Sequence, residues 1–256
     1  MDTEFPGIVH YLGKVKESYY KNIKANVDDL KLIQCGISIS DEKGNIPQEC
    51  STWQFNLKFD KGRDRSASDS IALLISSGIE FDKLINEGIN HDSFGEALMT
   101  SGIILNEDIK WVSFHGGYDF AYLLKVISNL PLPENETGFL ETLKLYFPLF
   151  YDIRHLTRNL DGLGKSLQRL ATDLDVIRVG IQHQAGSDAM ITLNVFHKLL
   201  ELYISNENLK NDENILFGLG AYYEDETSIV FEGMTQNNYF GTNNHAPSSF
   251  NQQIMI

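Results

Sequence analysis

The stretch Met1-Asp2-Thr3-Glu4-Phe5-Pro6-Gly7 decides how the rest of the chain is read. Asp2 and Glu4 are two residues apart, so in an extended segment their side chains leave from one face, about 7 Å apart along the backbone. Pro6 and Gly7 stop the strand at once, which places both carboxylates at a strand's C-terminal end, where α/β folds put their ligands. Alone, an Asp-x-Glu pair is most often merely solvated. Two hard divalent ions about 3.5 to 4 Å apart need carboxylate oxygens from several elements. The pair therefore gains meaning from two later acidic residues, Asp119 and Asp188, each at an element boundary.

The 256 residues, 42% of them hydrophobic, can bury one sizeable α/β core. With 21 Lys+Arg against 35 Asp+Glu the formal net charge is −14. That argues against sequence-independent attraction to nucleic acid, which comes from Lys and Arg neutralising phosphates. A polyanionic substrate must then be met locally, with bound metal ions supplying positive charge. Cys35 and Cys50 are too few for a disulfide scaffold and are expected as buried free thiols flanking a hairpin. Nothing resembles a signal peptide or an apolar run of about 18 residues. The expectation is a soluble intracellular protein with no membrane partner, working in the cytoplasm, with the nucleus also open to it.

Val15 to Val27 has the spacing of a helix, Lys31 to Ser40 of a strand, Asp41 to Asn45 of a turn, and Ser51 to Phe59 of a returning strand. In that last strand Trp53, Phe55, Leu57 and Phe59 alternate with Gln54, Asn56 and Lys58, which predicts a hairpin with one covered face and Trp53 in the core. Helices are predicted over Ala67 to Ser76, Phe81 to Asn86 and Ser93 to Thr100. Trp111 to His115 reads as a strand, and Tyr118 to Ser128 as a helix with Asp119 in its first turn, where a carboxylate is electrostatically welcome. Leu140 to Phe147 reads as a helix, Leu149 to Ile153 as a strand, and Ser166 to Leu174 and Ser187 to Tyr203 as helices. Asp188 sits in the first turn of the last. From residue 223 the composition turns acidic, then Asn/Gln-rich, and a disordered tail over 223–256 is expected.

Gln182-His183-Gln184-Ala185-Gly186-Ser187-Asp188 sets a histidine five residues before an acid that opens a helix. A lone histidine there is more often structural. With Asp2, Glu4 and Asp119 in this order the pattern is that of the DEDD exonucleases with a catalytic histidine. Five motifs narrow it further: Met1-Asp-Thr-Glu-Phe-Pro-Gly7, Ser51-Thr-Trp-Gln-Phe-Asn56, Met99-Thr-Ser-Gly102, Ser113-Phe-His-Gly-Gly-Tyr-Asp-Phe120 and His183-Gln-Ala-Gly-Ser-Asp188. Together they resemble the Caf/Pop-type deadenylases, the catalytic poly(A) nucleases of the Ccr-Not complex.

The resemblance implies an α/β, ribonuclease-H-like fold, a mixed five-stranded sheet flanked by helices, in an exonuclease domain over 1–222. It implies 3′-to-5′ removal of adenylate from mRNA tails with release of 5′-AMP. It makes Asp2, Glu4, Asp119 and Asp188 ligands of two divalent metal ions, Mg²⁺ or Mn²⁺, and His183 the general base. Phe5, His115 and Leu163 become candidate substrate contacts. The poly(A) 3′ end, a Ccr-Not scaffold subunit and a second nuclease subunit become the expected partners.

Two departures and two alternatives accompany it. Where the family has a Gly-Gly-Leu-Gln helix start beside the RNA, this chain has Gly164-Lys-Ser-Leu-Gln168, so adenine preference is less secure than nuclease activity. Family members also carry a helix and the first half of a strand before the Asp-x-Glu pair. Their absence predicts a shortened form, or one begun at an internal Met. An idle adaptor bridging Ccr-Not subunits, or a DEDD nuclease on other nucleic acids, stay open as alternatives.

Overall fold

Residues 1–13 and 18–220 are described by the computed structural model. The chain opens in strand β1 (Asp2–Glu4), which pairs antiparallel with β2 (Gln34–Ser38). Between them lies helix α1 (Tyr19–Asp29). The expected start of that helix at Val15 lies outside the described residues. β2 pairs antiparallel with β3 (Thr52–Asn56). In the connection the Asp41 carboxylate accepts from the N–H groups of Lys43 (2.9 Å) and Asn45 (2.8 Å), the local bonding that makes Asp a turn former.

Helices α2 (Ser68–Ser76), α3 (Phe81–Glu87) and α4 (His91–Thr100) follow, within a residue or two of their predicted bounds. Strand β4 (Lys110–Ser113) pairs parallel with β5 (Leu149–Asp152). The crossover carries α5 (Gly117–Ser128) and α6 (Glu136–Tyr146). Last come α7 (Ile153–Leu156), α8 (Leu167–Asp173), α9 (Ala185–Leu202) and α10 (Asn206–Asn211). The expected tail lies outside the described residues, and no described helix is long and apolar enough to cross a membrane.

The five strands combine antiparallel and parallel pairing, as expected, but are hydrogen-bonded in two groups, β1-β2-β3 and β4-β5. Among the described residues β1 pairs with β2 alone, and on its other edge the Thr3 N–H goes to a side chain, Asp119 Oδ1. The Met1 amino group donates to Val112 O at 2.7 Å across the gap. A large apolar cluster joins Ile23, Cys35, Leu57, Phe120, Phe139 and Phe150 on one side of the strands. A second, with Tyr151, Leu170, Ile191 and Leu199, lies under α8 and α9.

Two expectations are corrected. Trp53 is 39% exposed, while Leu57 and Phe59 on the same alternation are fully buried. The alternation identified the face but not its depth, because Phe55 against Phe94 of α4 marks where helix cover is established (ring centroids 5.0 Å) and Trp53 lies two residues further out. Cys35 is buried but Cys50 is exposed, and neither is paired.

Candidate active site

Register places the first carboxylates. Asp2 lies opposite Gly36 and Glu4 opposite Gln34, so both share the face of β2 on which α9 packs. Gly36 makes that packing possible: a Cβ there would lie 1.9 Å from Ala185 O, so helix backbone rests directly on strand backbone. The first turn of α9, with Asp188, is thereby brought to Asp2 and Glu4. Ligand atoms of Glu4, His183 and Asp188 all fall within 4.8 Å of one another.

Asp119 arrives from the other side. Its Oδ1 accepts from Thr3 N at 2.8 Å and from Thr3 Oγ1 at 2.6 Å, bonds that only the unpaired edge of β1 leaves available. Asp188 is held twice: Oδ1 takes Arg178 Nη1, and Oδ2 takes His183 N at 2.8 Å. Arg178 also donates to Gln168 Oε1 (2.6 Å) and Ser187 Oγ (3.1 Å). His183 adopts φ 63°, a left-handed conformation costing a non-glycine residue about 1–3 kcal/mol.

The carboxyls are crowded and at least partly buried. Burial first, then Asp188, Asp119 and Glu4, hold the Asp2 carboxyl well above its ordinary range. Burial, then Asp188 and Asp119, do the same for Glu4, with Arg178 opposing. Burial pushes Asp119 up to about 6 against the two Thr3 hydrogen bonds. Burial lowers His183, with Asp188 opposing, so its imidazole is neutral at neutral pH and free to accept a proton.

These groups line a cavity of about 870 Å³, together with Phe5, His115, Arg154, Lys165, Arg169 and Phe217. Phe5 lines the cavity and stacks on Tyr118 and Tyr122 (centroids 5.2 and 5.1 Å). His115 is at the wall, its Nε2 3.0 Å from Tyr19 Oη. Leu163 is not among the lining residues. Being apolar, it packs on the cluster beneath α8, and the polar Lys165 and Ser166 take the cavity side.

The description CAF1 family ribonuclease matches residues 1–98. The chain is 45% identical over 225 residues to the poly(A) ribonuclease pop2 of Schizosaccharomyces pombe, covering 86% of this chain and 67% of that one. This chain belongs to the CAF1 ribonuclease family. Its structure superposes on that of S. pombe Pop2p in a Mg²⁺- and Mn²⁺-bound form with TM-score 0.80 and 43% identity, over 85% of this chain and 88% of the other. It also matches a yeast CAF1 structure, co-crystallised with the NOT1 MIF4G domain, at TM-score 0.72 and 29% identity over 84% and 85%. The fold is the ribonuclease-H-like fold of these enzymes.

Several residues of this CAF1 family site escaped the motif reading. Thr3 and Arg178 are ordinary in sequence, and only the fold turns them towards Asp119 and Asp188. Asp152, 1% exposed, accepts from the N–H groups of His115 (2.8 Å), Gly116 (3.1 Å), Arg154 (2.9 Å) and Phe217 (3.0 Å). It thereby ties the turn before α5 to the cavity wall. Its position at the end of β5, as the N-cap of the short helix α7, was the available signal.

Proposed function

We propose that this chain is a metal-dependent 3′-to-5′ exoribonuclease that shortens mRNA poly(A) tails and releases 5′-AMP. The observation that carries the reading is the meeting of Asp2, Glu4, Asp119, Asp188 and His183, scattered over 187 residues of sequence, at one cavity of a CAF1 family ribonuclease.

The donor set fits divalent metal. Carboxylate oxygens suit hard cations, and Asp2 and Glu4 are raised first by burial and then by the neighbouring carboxylates, a combination of buried and crowded acids that a bound cation would relieve. Asp2, Glu4, Asp119 and Asp188 would hold two ions, Mg²⁺ or Mn²⁺, as the metal-bound Pop2p relative suggests. When bound, such ions supply Lewis acidity and positive charge for in-line phosphoryl displacement.

The chain's own residues do the rest. His183, kept neutral by burial, takes the proton of the attacking water. Arg178 and the His183 N–H fix both oxygens of Asp188, and Thr3 fixes Asp119, so the acidic cluster is set before substrate arrives. Phe5 and His115 offer aromatic rings to the terminal nucleotide, and Lys165, Arg154 and Arg169 bring positive charge to the wall along which its phosphates would lie. A NOT1-type scaffold is the proposed protein partner, on the likeness to the yeast CAF1 complex, and a second nuclease subunit completes the proposed assembly.

The test is a panel of end-labelled poly(A), poly(U) and single-stranded DNA of equal length with Mg²⁺ or Mn²⁺. Poly(A) is expected to be degraded fastest, with no cleavage in EDTA. Equal rates on poly(A) and DNA, or EDTA-resistant cleavage, contradict the reading.

A further inference from the structure

We propose that Gln34 and Gln54 are positioning residues for the catalytic centre, capping helix α9 from strands β2 and β3 and, through Gln184, fixing His183 and Asp188. Every helix start leaves N–H groups without partners inside the helix. α9 begins after Gln184 with no side-chain cap from its own N-cap residue. The caps come from elsewhere in the chain. Gln34 Oε1 accepts from Ala185 N at 3.2 Å, and Gln54 Oε1 from Gly186 N at 2.9 Å.

The amide nitrogens of the same two side chains converge on a third glutamine. Gln34 Nε2 (3.2 Å) and Gln54 Nε2 (2.9 Å) both donate to Gln184 Oε1. Gln184 Nε2 in turn donates to Ser77 O, just past α2, at 2.8 Å. Gln34 Nε2 also donates to Asn56 Oδ1 at 2.7 Å. Exchanging oxygen for nitrogen in any of the three glutamines would set donor against donor or acceptor against acceptor, so the network has one orientation.

Gln184 stands between His183 and the helix. A non-glycine residue keeps a left-handed backbone only where its surroundings over-determine it. For His183 those surroundings are the pinned Gln184 on one side and the Asp188 carboxylate on its N–H. Asp188 N in turn donates to Gln184 O at 3.0 Å. Because Gln34 also lies opposite Glu4 in the β1–β2 register, one hydrogen-bonded group sets the separation between the two halves of the acidic cluster. Gln54, on the polar side of the β3 alternation, is thus one of the side chains that dock α9.

The kinetic part of this inference rests on the proposed nuclease activity; the capping part does not. The test compares the full chain with Gln54→Leu, Gln184→Leu and the double variant. Gln54 is exposed, so its replacement leaves the apolar core intact. In Gln54→Leu the Gly186 N–H, protected in the native chain, should exchange roughly tenfold faster while the β2–β3 ladder keeps its protection. Its kcat on poly(A) should fall roughly tenfold with KM unchanged, the effect of misplacing a reacting group. The double variant should be no slower than Gln184→Leu alone, because both substitutions break one network. An unprotected Gly186 in the native chain, an unchanged kcat in Gln54→Leu, or additive losses in the double variant each overturn the proposal. A native chain that does not cleave poly(A) at all contradicts the functional reading instead, and the capping then stands or falls on the exchange of Gly186.

Discussion

Thr3 gives Asp119 two hydrogen bonds on a single oxygen, one from its backbone N–H at 2.8 Å and one from its hydroxyl at 2.6 Å. The strand that carries Asp2 and Glu4 thus holds in place the carboxylate that arrives from α5. Thr3→Val keeps the shape and the N–H bond but removes the hydroxyl, whose bond to a charged group is worth about 1.5–3 kcal/mol. The expected result is a lower melting temperature and a higher Mg²⁺ concentration for half-maximal activity, with turnover at saturating Mg²⁺ close to native. A Mg²⁺ titration that superposes on the native curve would show that Asp119 needs no such support.

The acidic residues differ in what their removal does to folding. Asp2→Ala relieves a repulsion among Asp2, Glu4, Asp119 and Asp188 and should raise the melting temperature of the metal-free protein by roughly 2–4 °C while abolishing activity. Asp188→Ala should abolish activity and also destabilise, by about 3–5 kcal/mol. It strands Arg178, whose side chain is 11% exposed in a pair with Asp188 at 8%. Thermal melts in EDTA check both, and shifts of the same sign in the two variants would contradict the charge balance described here.

Acid titration gives a third expectation. Asp119 is pushed up from 3.8 to about 6, so the folded chain holds that proton longer than the unfolded chain. Its contribution to stability is most favourable below 3.8 and is lost as pH rises from 3.8 to about 6. The loss is on the order of 3 kcal/mol at neutral pH. In EDTA, Asp119→Asn should therefore gain stability relative to the native chain between pH 4 and pH 7, most steeply near pH 5. A stability difference that stays constant over that range would show that Asp119 titrates normally.

The hairpin shows how far the sequence could be read. Period-two alternation over Ser51 to Phe59 located β3 and chose its apolar face, because alternation follows from strand geometry alone. It could not say where along the strand the helices stop. Trp53→Ala should accordingly cost less than about 1 kcal/mol, and Leu57→Ala about 2–5 kcal/mol, from its fully buried position. Urea melts of the two variants decide it, and equal losses would restore Trp53 to the core.

The site divides along a similar line. Asp2, Glu4, Asp119, His183 and Asp188 were legible because each is a chemically distinctive residue at an element boundary. Thr3, Arg178 and the glutamines at 34, 54 and 184 were not. Their residue types are common on surfaces, and their partners lie 9 to 151 positions away in sequence. Leu163 was placed near substrate by its loop, yet its apolar side chain packs, partly buried, against the cluster beneath α8 while Lys165 lines the cavity wall.

The central claim is tested most directly by following a 5′-labelled RNA that ends in a run of adenylates, with Mg²⁺, using the native chain, Glu4→Gln and His183→Ala. The native chain should shorten the tail one nucleotide at a time from the 3′ end and release 5′-AMP. Glu4→Gln should be inactive, and His183→Ala slower by about 10² to 10⁴, the worth of a positioned base. Internal cleavage, products other than 5′-AMP, or full activity in Glu4→Gln would contradict it.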